Sequence, residues 1–102
     1  MKIACECGSL LHDGADNLPH KAHLIPDREW NRFWDAIDDA VEKSGPTANE
    51  KEVACMRLRS QSFGHRRLWQ CPACGRLYIE DIQGTLQCFQ PASTSVPRNL
   101  LG

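Results

Sequence analysis

The chain has 102 residues, a formal net charge of −1 and 41% hydrophobic residues, which fits one small domain with no global attraction to nucleic acid or membrane. No run of about 18 apolar residues occurs, so no transmembrane helix is expected. Cys5 follows Met1-Lys2-Ile3-Ala4 directly, leaving no room for the apolar core of a secretory leader, and a cytoplasmic location is expected.

Residues 1–25 open on Cys5-Glu6-Cys7-Gly8. Two cysteines so close, followed by Gly, read as a knuckle, a turn that aims backbone N–H groups at the sulfurs. Gly supplies the positive φ that such a turn needs. Beyond it lie Leu10-Leu11, a turn signal at Asp13-Gly14, a loop at Asp16-Asn17-Leu18-Pro19 and three histidines, His12, His20 and His23.

The clearest helix starts after Pro26, with Asp27 as its N-cap. Trp30, Phe33, Trp34, Ile37 and Val41 trace one face at helical spacing, while Glu29, Asp35, Asp38, Asp39 and Glu42 project elsewhere. Ser44-Gly45-Pro46 stops it. Thr47-Ala48-Asn49-Glu50 matches a capping box for a second helix, reaching about Gln61. Val53, Ala54, Met56 and Leu58 are its apolar positions, and Cys55 among them reads as a small buried residue.

Arg67 to Cys71 then reads as a strand entering the second knuckle, Cys71-Pro72-Ala73-Cys74-Gly75, and Arg76 to Glu80 as the strand leaving it. Asp81 to Gly84 is a turn. Thr85 to Phe89 is a further strand, with Cys88 expected in the core. The tail from Pro91 to Gly102 is rich in Pro, Ser and Thr, and its composition predicts disorder.

The two knuckles together supply Cys5, Cys7, Cys71 and Cys74, enough thiolates to close one tetrahedral structural zinc site. A closed site has no open coordination position and serves a scaffold rather than a reaction. Six cysteines also allow fifteen disulfide pairings, and Cys71 to Cys74 has the spacing of a redox pair. The tight pair spacings and the flanking strands favour a metal over both. His12, His20, His23 and Cys88 stand as reserve ligands. The expected fold is α+β, a small antiparallel zinc ribbon over 1–90 interrupted by a two-helix hairpin at about 27–62.

No glycine-rich phosphate loop, nucleophile elbow or metalloprotease histidine pair occurs, so no enzyme is expected. Charge is segregated: residues 26–52 hold eight acids against four bases, whereas 53–76 hold five arginines and no acid. The exposed acids Asp35, Asp38, Asp39 and Glu42 suit a basic protein partner. Arg57, Arg59, Arg66 and Arg67, with Phe63 and Trp69 interleaved, offer the alternative of a nucleic-acid patch.

The Cys-Pro-x-Cys-Gly at Cys71 to Gly75 resembles the knuckle of the zinc-ribbon superfamily. Over residues 2–90 the layout is similar to small bacterial zinc-ribbon proteins, in its Cys-x-Cys-Gly, Asn-Leu-Pro, acidic aromatic helix, Ser-Gly-Pro-Thr and Cys-Pro-x-Cys-Gly. Proteins of that kind include immunity partners of polymorphic toxins. The resemblance implies a non-enzymatic zinc protein that binds and neutralises a basic toxin domain.

Overall fold

A computed structural model describes every residue from Met1 to Gly102. The elements run β1 (Lys2–Ala4), β2 (Leu10–His12), β3 (Lys21–Leu24), α1 (Asp27–Glu42), α2 (Ala48–Ser60), β4 (Arg66–Gln70), β5 (Leu77–Glu80) and β6 (Leu86–Phe89). β1 and β2 form a two-stranded sheet, and the others a four-stranded sheet in the order β3-β4-β5-β6. All neighbouring strands are antiparallel. The fold is α+β, as the sequence leads one to expect. The chain divides into two compact units, one made of Met1–Leu24 with Arg66–Gly102, the other of Ile25–His65. Both helices lie in the second of these units.

The strand unit is built around the cysteines. Ile3, Cys5, Leu11, Trp69, Cys71 and Tyr78 form one buried cluster, with Cys74 and Leu86 packed against it. Ile3 and Leu11 face each other as the inward residues of the short β1–β2 hairpin. β4 is a central strand, and its Leu68, Trp69 and Gln70 are all buried. Trp69 is 0% exposed, and burying such a ring stabilises by about 2–3 kcal/mol. Its indole N–H donates to Asp13, which also pairs with Lys21 at 2.9 Å. β3 has no periodic sequence signal. It is a strand because Lys21 to Leu24 pair with Trp69 to Arg66.

The carboxy-terminal segment differs from its compositional expectation. It carries only turns and bends, yet Gln70 fastens it. The Gln70 amide donates to Pro97 O at 3.0 Å and to Gly75 O at 3.3 Å, and its carbonyl accepts from Leu100 N–H at 2.8 Å. A buried amide must find such partners, because leaving it unpaired costs on the order of 1–3 kcal/mol.

In the helical unit, Thr47 and Glu50 form the capping box expected of them. α1 begins at Asp27, with Pro26 rather than Asp27 at the cap and no side-chain cap bond. The apolar stripe on α1 is only partly covered. Phe33, Ala36, Ile37 and Ala40 are half-buried. Phe63 is buried and meets Phe33 edge-on, with ring centroids 5.3 Å apart. Trp30, Trp34 and Val41 stay exposed, because Phe63 and α2 reach one side of the stripe and not the other. Cys55 and Cys88 are both exposed, correcting the expectation that each is buried. Cys55 lies off the Ala54–Leu58 side of α2, and Cys88 lies on the edge strand β6.

Candidate metal centre

Each knuckle forms the tip of an antiparallel hairpin, the first joining β1 to β2 and the second joining β4 to β5. Their backbones close in the same way. Cys5 N–H bonds to Ser9 O and Gly8 N–H to Cys5 O, while Cys71 N–H bonds to Arg76 O and Gly75 N–H to Cys71 O. Gly8 at φ 97° and Gly75 at φ 84° occupy the left-handed region that both turns require. The Cys-x-Cys knuckle is one residue shorter than the Cys-x-x-Cys knuckle and still presents two sulfurs.

The hairpin tips bring Cys5, Cys7, Cys71 and Cys74 together, with all four sulfurs within 4.8 Å of one another. Cys5 Sγ lies 3.5 Å from Cys74 Sγ, and Cys7 Sγ lies 3.6 Å from Cys71 Sγ. A tetrahedral ion with metal–sulfur bonds of about 2.3 Å needs sulfurs about 3.8 Å apart, so the donor set fits such an ion. All six cysteines are free, and no histidine belongs to the cluster. His20 Nε2 instead bonds to His12 O at 2.8 Å, and Cys88 also lies outside the set.

The four thiols are not equivalent. Cys71 is fully buried, and burial pushes its thiol up to about 12. Cys7 is exposed, and the Ser9 hydroxyl and backbone N–H lower its thiol to about 6. Burial pushes Cys74 upward, but the Arg76 backbone N–H and guanidinium outweigh it and hold the thiol below its ordinary value. Arg76 Nε is buried without a hydrogen-bond partner, and the Glu6 carboxylate is 3.9 Å away. A cluster of thiolates gathers negative charge, and Arg76 is the cation placed against it. Tyr78 completes the surround, its hydroxyl accepting from Glu6 N–H at 3.0 Å.

Sequence reading passes over Ser9, Arg76 and Tyr78. A signal for the first two is present, since each directly follows its knuckle glycine.

The other candidate residues are dispersed. Asp35, Asp38, Asp39 and Glu42 are exposed on α1, and Asp39 pairs with Lys43 at 3.2 Å. Arg57 and Arg59 are exposed on α2, whereas Arg66 and Arg67 are half-buried on β4 in the other unit. Arg67 Nε and Nη2 donate to Glu80 Oε1 and Oε2, both at 2.8 Å. That fork-to-carboxylate pairing raises Arg67 above its usual value and occupies its guanidinium.

Fold and site define a small α+β protein whose two cysteine knuckles converge on one metal-binding cluster. The chain belongs to the family described as Domain of unknown function (DUF8617), which it matches over residues 1–93. No curated protein and no solved structure matches it. No helix is long and apolar enough to cross a membrane.

Proposed function

We propose that this is a non-enzymatic, zinc-stapled domain that binds another protein through α1. Zinc suits the site because four sulfur donors with no histidine or carboxylate form a closed tetrahedral set. Tyr78, Arg76 and the knuckle N–H groups surround the sulfurs and leave the ion a structural role. Such an ion couples to folding by on the order of 10 kcal/mol. The strand unit is then the zinc-stapled part, and recognition lies elsewhere.

The observation that carries the reading is the row Asp35, Asp38 and Glu42. All three are exposed on one helix, and none has an ion pair within the chain. Uncommitted like charges in a row suit a basic partner, steer its approach and disfavour acidic competitors. A basic toxin domain neutralised by this chain, in the cytoplasm, is the particular partner that the layout resemblance suggests. The nucleic-acid reading is weaker, because Glu80 occupies Arg67 and leaves Arg57, Arg59 and Arg66.

The test is affinity capture by the tagged chain from its native cell lysate, with and without nuclease. A stoichiometric protein that survives nuclease, and whose own activity falls on binding, supports the reading. Its capture should drop at least tenfold when Asp35, Asp38 and Glu42 are all changed to Lys. Recovery only without nuclease would give the function to nucleic acid. Unaltered capture by the triple variant would remove α1 from the interface.

A further inference from the structure

α1 carries an apolar stripe that the chain covers only in part. Trp30, Trp34, Ile37 and Val41 recur at spacings of four, three and four, the seam by which one helix packs against another. Trp30 is 45% exposed, Trp34 47% and Val41 72%. The two indoles are already arranged edge-to-face, with centroids 5.8 Å apart. Aromatic side chains held in this way lose little freedom on binding and are frequent anchors of interfaces. Neither helix of the hairpin has a fully buried residue. A hairpin so thinly packed draws little stability from its own contacts.

The two edges of the seam differ. On one side lie Phe33, Ala36 and Ala40, half-buried within the hairpin. On the other lie Asn31, Asp35, Asp38 and Glu42, each following one seam residue in sequence and all exposed. Apolar row and acidic row therefore run side by side along the helix.

We propose that this seam docks a basic amphipathic helix of a partner protein. The apolar ridge of that helix lies on Trp30, Trp34, Ile37 and Val41, and its Lys or Arg flank meets Asp35, Asp38 and Glu42. The inference rests on the partner-binding reading above and adds the form of the partner. Charge argues against a second copy in this place. Antiparallel pairing of two α1 helices sets acidic row against acidic row. Parallel pairing sets the row against the flank of Ala36 and Ala40, along which α2 already lies and where Lys43 is paired with Asp39. Flanking charges select helix partners in this manner.

The probe is a synthetic helical peptide without aromatic residues, with Leu at the four-three-four spacing and Lys along one flank. It is titrated into the metal-loaded full chain by calorimetry and by tryptophan emission. Trp69 is 0% exposed, so a change in emission reports Trp30 and Trp34. The Lys peptide should bind with a blue shift. A peptide with Glu for Lys, and one with the Leu spacing broken, should each bind at least tenfold more weakly. The double variant Trp34→Gln, Val41→Gln should lose binding while keeping its metal content and helical circular dichroism. Absence of binding by the Lys peptide, equal binding of the Lys and Glu peptides, or full binding by that variant would each overturn the proposal. A concentration-dependent dimer that buries these indoles would also overturn it, assigning the face to a second copy. The two readings fail separately. A captured protein lost on acid reversal but retained by Trp34→Gln, Val41→Gln keeps partner binding and removes the seam.

Discussion

The backbone N–H of Glu6 donates to the hydroxyl of Tyr78 at 3.0 Å, a bond across 72 positions of sequence. It ties the first knuckle to β5, the strand that leaves the second, so one side chain links the two halves of the metal cluster. Tyr78 is buried, and that burial pushes its phenol above the usual range, with the Cys5 thiol adding to the effect. The hydroxyl therefore keeps its proton while it accepts from Glu6. Tyr78→Phe removes this bond together with the hydroxyl's contacts to Cys5 and Cys88. It should lower the stability of the metal-loaded protein by about 1 kcal/mol, read from the denaturant midpoint. An unchanged midpoint would mean that the bond contributes nothing to holding the hairpins together.

Metal content gives the second prediction. Elemental analysis should find one zinc ion per chain, and cobalt substitution should show the charge-transfer band of thiolate ligation. Cys71→Ser should lose the ion and unfold the strand unit, because Cys71 is fully buried between the metal set and the core. A cooperative unfolding transition of the variant that matches the native protein would contradict a structural ion.

Arg76 sets up the third. Its guanidinium faces the Cys74 sulfur and is itself raised above its usual value, chiefly by that thiol. Groups that surround metal ligands commonly change affinity 10- to 100-fold when removed. Arg76→Gln should weaken zinc binding by about tenfold in a chelator competition, with Arg76→Lys recovering part of the loss. Equal affinity in all three proteins would show that the arginine only fills space.

The fourth concerns acid. Lys21, by hydrogen bond and by charge, holds the Asp13 carboxyl below the ordinary carboxylate range, and the Trp69 indole N–H adds to this. A carboxylate depressed in the folded state contributes stability above its unfolded value, about 4. That contribution is lost as pH falls through the lower folded value. The zinc-loaded protein should therefore destabilise more steeply below about pH 4 than Asp13→Asn does. Superimposable acid limbs would remove Asp13 from the account.

Much of the fold was legible in the chain itself because local rules carry it. The Thr47–Glu50 capping box, the stop at Gly45-Pro46 and the strands around the second knuckle depend on neighbouring residues, and they stand where the sequence places them. The four clustered cysteines were legible for the same reason, since a knuckle is a turn of a few residues ending in Gly. β3 was not legible, because four residues with no alternation become a strand only through β4. The fastening of the tail was hidden as well. It depends on the buried amide of Gln70 reaching Pro97 and Leu100, and composition carries no trace of that contact.

What the sequence determined by itself is the chemistry: which cysteines stand at knuckle turns, and which helix carries acid beside aromatic rings. Only the tertiary structure decided which of these groups stay available. It gathered four cysteines from two distant turns into one set, committed Arg67 to Glu80, and covered one side of the α1 stripe while leaving Trp30, Trp34 and Val41 open. The division has one physical cause. Backbone turns and helix caps are settled among near neighbours, whereas burial and charge pairing depend on which distant surface arrives against each side chain.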